Sequence, residues 1–100
     1  KTMTFHSHIV SEGTLRNEDL IPAFISEAYS IIENCYDGSE EDIIYVKQFL
    51  EQSEREFEEN EENGVYIIEE LHNLLTEIAP NGFYFGTSEG DGACFGFWEC

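Results

Sequence analysis

The spacing of apolar positions along this chain changes twice, dividing it into a strand, a helical middle and a closing pair of strands. From Thr2 to Ser11, TMTFHSHIVS alternates with period two, with Met3, Phe5 and Ile9 on one side and Thr4, His6, His8 and Val10 on the other. The first set is expected in the core. Glu12, Gly13 and Thr14 end this strand. The spacing then becomes three and four through Leu20, Ile21, Phe24, Ile25, Ala28, Tyr29, Ile32 and Cys35, one stripe of a helix running to about Asn34. Asn17 or Thr14 can cap it, Glu18 and Asp19 suit its positive end, and Pro22 is tolerable if it falls near the first turn.

The Asp-Gly pair in YDGS (Tyr36 to Ser39) marks a turn, and Ser39 followed by Glu40, Glu41 and Asp42 is a helix start. The second helix has a seam of Ile43, Val46, Leu50, Ser53 and Phe57, broadened by Phe49 and Ile44, while its other face is almost all carboxylate. In EENEENG, Asn60 or Asn63 can cap and Gly64 can break the helix. A third helix follows on the stripe Ile67, Ile68, Leu71, Leu74, Leu75 and Ile78, and Ala79 to Gly82 stop it. Phe83 to Gly86 and Ala93 to Trp98 then read as two strands joined by the loop TSEGDG. Helices segregated from strands predict an α+β domain spanning residues 1–100: an N-terminal strand, three helices and a C-terminal hairpin, with the helices on one face of a three-stranded sheet.

Period two then assigns the sheet. Met3, Phe5, Ile9, Phe83, Phe85, Ala93, Phe95 and Phe97 are expected toward the helices. Thr4, His6, His8, Tyr84, Gly86, Cys94, Gly96 and Trp98 are expected on the other face. A solvated sheet face is normally rich in Thr, Lys and Glu; rings beside glycines form instead a wall with hollows, suited to a partner or a flat ligand. A plainer account has the rings packing across the strands over the glycines to shield backbone.

Composition changes the picture through charge. The apolar fraction of 41% belongs to a folding chain, yet 22 acidic residues against 4 basic ones give a formal net charge of −18. Such a chain repels phosphate and anionic lipid, so direct nucleic-acid or membrane binding is not expected, and a basic partner is the natural complement. The three cysteines, Cys35, Cys94 and Cys100, have no CxxC spacing, which suits reduced thiols. No secretory-type leader and no apolar run of membrane-spanning length is present, so a cytoplasmic location is expected.

Signals for chemistry are sparse. His6 and His8, alternate residues of a strand, have ligand-compatible spacing for zinc or nickel, with Cys94 as a conceivable neighbour, but no third ligand is fixed and ordinary exposed histidines account for them as well. His72, beside Leu71, reads as a surface residue. Asp37, Gly38, Ser39 and Asp42 depart from a calcium-loop pattern and are better explained as turn and cap. The hairpin glycines do not lie between a strand and a helix, so no phosphate cradle follows. A nucleophilic Cys94 would need a base beside it, and local acidity would raise its pKa. No cofactor is implied. The acidic tract is more specific: Glu51, Glu54, Glu58 and Glu61 or Glu62 recur at three-and-four spacing, about 5 Å apart along a continuing helix. Lacking lysine partners, such a row costs helix stability. It can imitate a phosphate backbone and dock in a nucleic-acid-binding groove, or be merely a solvated face.

GTLRNEDLIPAF (Gly13 to Phe24) and APNGFYFGTSEGDGACFGFW (Ala79 to Trp98) resemble the two signatures of a group of small, acidic, uncharacterised proteins of bacteria and their mobile elements. There an LIPAF opening and a YYFG, GDG, FGFW closing bracket a variable acidic middle. This sequence departs from that pattern at Ser88-Glu89, where His-Pro is expected, and at Ala93-Cys94, where a second acidic residue is expected. The resemblance covers about a third of the chain and implies the fold rather than an activity. Together the residues read as a non-enzymatic interaction module. It would bind a basic protein surface, such as that of a nucleic-acid-binding protein, through Glu51, Glu54, Glu58 and Glu61 with Tyr84 and Trp98. The alternative is a small-ligand or metal-binding domain using His6, His8, Tyr84, Cys94 and Trp98.

Overall fold

A computed structural model of the chain describes residues 6–34, 36 and 38–99. Strand β1 (His8–Ser11) is followed by helices α1 (Asn17–Asn34), α2 (Glu40–Glu59) and α3 (Gly64–Ile78), then by strands β2 (Phe83–Ser88) and β3 (Asp91–Glu99). This is the expected α+β order. Met3, Thr4, Phe5, Cys35, Asp37 and Cys100, to which the sequence reading assigned places, lie outside the described residues. The sheet is antiparallel with order β1-β3-β2, so the last strand is central and the first pairs with it.

Helix ends follow local chemistry. The N–H groups of Asp19 and Leu20 donate to the Arg16 carbonyl at 3.0 and 2.9 Å, and Thr14 Oγ1 braces the entry by accepting from Arg16 N–H and donating to Asp19. Pro22 falls in the second turn of α1, later than expected, at an exposed position. At α2, Ser39 Oγ accepts from Asp42 N–H while Asp42 accepts from Ser39 N–H, a reciprocal cap that satisfies two otherwise orphaned donors. Asn60 ends α2, and its side chain accepts from Glu62 N–H to begin one 3-10 turn over Glu61–Asn63.

Gly64 does not break a helix as expected. It is the buried first residue of α3, with right-handed φ and ψ of −55° and −43°. The reason for glycine is tertiary: a Cβ there would collide with the Asn17 side chain at the start of α1. Gly90 meets the other requirement. Its φ of +85°, a left-handed conformation suited to glycine, closes a two-residue turn with Glu89. The loop is thus shorter than TSEGDG, because Thr87 and Ser88 belong to β2 and Asp91 and Gly92 to β3.

The core lies between the sheet and the helices. Phe24 of α1 meets Phe85 and Phe95 edge-on at centroid distances of 5.2 and 5.3 Å, and Phe85 lies 5.1 Å from Phe97. Aromatic pairs at these separations add about 0.5–1.5 kcal/mol each to the burial of their area. The stripes of α1 and α3 are buried except at Tyr29 and Ile68, which are half-buried, Ile31 joins the buried line of α1, and Val46, Leu50 and Ser53 are the buried line of α2. Phe49 and Phe57 pack against the core in part, whereas Ile44 is exposed. α1 packs on α3 and β1, and α3 on β2; α2 touches the other two helices, but none of its Cα atoms comes within 8 Å of a strand.

The first strand reverses the expected parity. His8 stands opposite Phe97 and Ile9 opposite Gly96, so His8 faces the helices and Ile9, 49% exposed, faces away. Val10, expected outward, packs against the core, and the pairing shifts between Ile9 and Ser11. An inward histidine is tolerable because both ring nitrogens are satisfied. Nδ1 lies 2.8 Å from the His6 carbonyl and Nε2 lies 2.7 Å from Glu27 Oε2 on α1.

Candidate partner-binding surfaces

Two surfaces stand out, and they lie on opposite sides of the sheet. The first is the carboxylate face of α2. Its sequence EEDIIYVKQFLEQSEREFEE carries eight acidic residues, and apolar Val46 and Leu50 with Ser53 turn the opposite face into the core. Glu51, Glu54 and Glu58 are all exposed. Among the described residues the ion pairs are His8 with Glu27 and Arg16 with Glu18, neither involving α2. Glu61 leaves the row. α2 ends at Glu59, so Glu61 sits on the 3-10 turn, where it lines a cavity of about 300 Å³ with Leu15, Arg16 and Phe57. A smaller cleft of about 160 Å³ opens between α2 and α3, lined by Phe49, Ser53, Glu56, Tyr66 and Glu70 among others.

The second surface is the outer face of the sheet, formed by Ile9, Tyr84, Gly86, Gly96 and Trp98. Tyr84 is 46% exposed, but Trp98 is half-buried. The indole lies across the paired glycines Gly86 and Gly96, and its Nε1–H donates to the Gly86 carbonyl at 3.0 Å. A Cβ on Gly96 would meet Trp98 Cζ2 at 3.0 Å. The hollows beside the glycines are therefore filled in part by this ring, as in the plainer account of the face. The Tyr84 ring borders Gly86 as well, 3.8 Å from the place of its Cβ, so what this side of the face leaves to solvent is the tyrosine itself.

The histidines do not join this face. His6 is exposed outside the strand, and His8 turns to Glu27, so His8 and Trp98 point to opposite sides of the sheet. Burial opposes charge on His8, but its hydrogen bonds to His6 and Glu27 prevail and hold its pKa above the ordinary value. Among the described residues no three His, Cys, Asp or Glu side chains converge on a common point. Cys94 is buried in an irregular stretch of β3, and burial, Asp91 and Glu12 all push its thiol pKa up, away from the nucleophilic thiolate.

His72 departs from the surface role expected of it. Its ring packs edge-on to Phe85 at 5.0 Å and near Phe95 at 6.3 Å, between α3 and the sheet, and burial lowers its pKa. The available sequence signal was its place four residues after Ile68 and three before Leu75, one side of the apolar stripe. Among the described residues no helix is long and apolar enough to cross a membrane. Compared with protein-family models, with curated proteins and with solved structures, the chain matches none.

Proposed function

We propose that this chain is a non-enzymatic interaction module whose α2 face binds a basic protein surface, one concrete form being a nucleic-acid-mimicking inhibitor from a mobile element. The observation that carries the reading is the exposed row Glu51, Glu54 and Glu58, held on a capped helix with no ion-pair partner among the described residues. Charge density supports it. Twenty helical residues span about 30 Å, so eight carboxylates give about one charge per 4 Å. A nucleic-acid single strand carries about one per 3.4 Å and a duplex about one per 1.7 Å, so the face compares with one strand rather than two.

Lys47 and Arg55 dilute the row without closing it. Tyr84 and Trp98, on the far side of the sheet, belong to a separate surface. The test is retention of a partner from native lysate at low and then high salt, by the natural chain and by one with Glu51, Glu54, Glu58 and Glu61 changed to Gln. Capture that weakens steeply with salt and vanishes in the variant is expected; capture unchanged by the four substitutions removes this face from the account.

A further inference from the structure

The two edges of the sheet are finished differently. β1 is four residues long, shifts its pairing at Val10 and is fastened to α1 through His8 and Glu27. Short, irregular edges are how folded proteins keep strands from pairing with other chains. β2 is guarded less: its Gly86 carbonyl accepts from the Trp98 indole and its Phe83 N–H donates to the Pro80 carbonyl. FYFGTS is six residues long, without a charged residue or proline, and pairs with β3 in unbroken register from Phe83 to Thr87. Among the described residues no strand lies beyond it. Every second residue of an antiparallel edge strand turns its backbone N–H and C=O away from its neighbour, so β2 from Tyr84 to Ser88 offers pairing groups besides the bonded Gly86 carbonyl.

We propose that β2 is a docking edge for an extended lysine- or arginine-rich segment of a partner protein, which adds to the sheet as a fourth strand. The inference rests on the acidic-surface reading and specifies the kind of segment such a partner presents. Charge selects the occupant. A net charge of −18 sets two copies of this chain against each other, which guards the bare edge against self-pairing, and it draws a cationic chain. Carboxylates also mark both ends of the edge: Glu89 in the turn and Asp91 opposite Ser88 at one end, Glu99 opposite Phe83 at the other. A six-residue segment laid along β2 covers about 20 Å and reaches both. Main-chain pairing supplies the register, and the exposed Tyr84 ring offers a contact for an alternate side chain of the added strand.

The experiment uses the full chain labelled for amide exchange and a synthetic ten-residue peptide alternating lysine and valine. The control is the same peptide N-methylated at every second residue, which keeps charge and side chains but removes the pairing N–H groups. The unmodified peptide is expected to slow exchange across Phe83–Ser88 and to bind at least about tenfold more tightly than the methylated one, a difference of about 1.4 kcal/mol. Thr87→Pro, checked for its fold by circular dichroism, is expected to lower that affinity by a similar factor. Equal binding of both peptides with exchange at β2 unchanged overturns the docking edge and leaves the acidic-face reading standing, since charge alone then suffices. Binding of neither peptide at low salt overturns the edge outright, while the lysate experiment still decides the acidic face. Slowed exchange that grows with protein concentration and needs no peptide overturns the proposal in favour of self-pairing.

Discussion

His8 Nε2 sits 2.7 Å from Glu27 Oε2 while Nδ1 of the same ring lies 2.8 Å from the His6 carbonyl. Both partners are acceptors, so the ring donates to both only as an imidazolium. This places a charge-assisted tie between the first strand and the first helix, and makes it depend on pH.

Because the folded pKa of His8 is raised, the tie contributes fully below the unfolded value of about 6.5 and is lost as pH rises through the folded value. Glu27→Gln is expected to cost about 1 kcal/mol near pH 5.5 and little near pH 8.5, a modest figure because His8 stays partly solvated. Urea unfolding at the two pH values measures it. An equal loss at both would mean that the charge on the ring contributes nothing.

His72 acts in the opposite sense. Burial lowers its pKa, so the folded state binds fewer protons than the unfolded chain, and stability is full above about 6.5 and lost as pH falls through the folded value. His72→Leu keeps an apolar contact with Phe85 and removes the proton. The variant is expected to hold its melting temperature on acidification where the natural chain loses some. A pH profile parallel to that of the natural chain would count against this.

Gly96 is enclosed by the first strand: a Cβ there would strike the His8 carbonyl and lie 3.1 Å from Ile9 Cα. Backbone cannot yield as a flexible side chain can, so Gly96→Ala is expected to destabilise by about 1–3 kcal/mol. Gly92, with open space where its Cβ would be, is the control, and Gly92→Ala should change the unfolding midpoint little. Similar losses at the two positions would show that close approach of β1 is not the cause.

The helices and the hairpin were legible because their signals are local: Ser39 before three acidic residues, apolar three-and-four spacing, glycine beside Glu89. What the sequence hid was tertiary. The parity of β1 turned on whether an inward histidine could find acceptors, and Glu27, nineteen positions on, supplies one. Gly64 resembles a helix stop until Asn17 is seen against it, and His72 resembles a surface residue until the sheet lies over it. The acidic row was readable in α2, but Asn60 interrupts the helix before Glu61.

The carboxylates of α2 make the helical side of the molecule more acidic than the middle of the outer sheet face. Eight carboxylates lie on α2, while Ile9, Tyr84, Gly86, Gly96 and Trp98 on the far side of the sheet carry no charge. If α2 binds as proposed, a cationic surface would turn the molecule before contact, helical side inward. Once seated, it would display the tyrosine and the flattened indole to solvent. A surface that had attracted polyanions would then present Tyr84 and Trp98, with Glu89, Asp91 and Glu99 only at the ends of the strands, changing what it can recruit next.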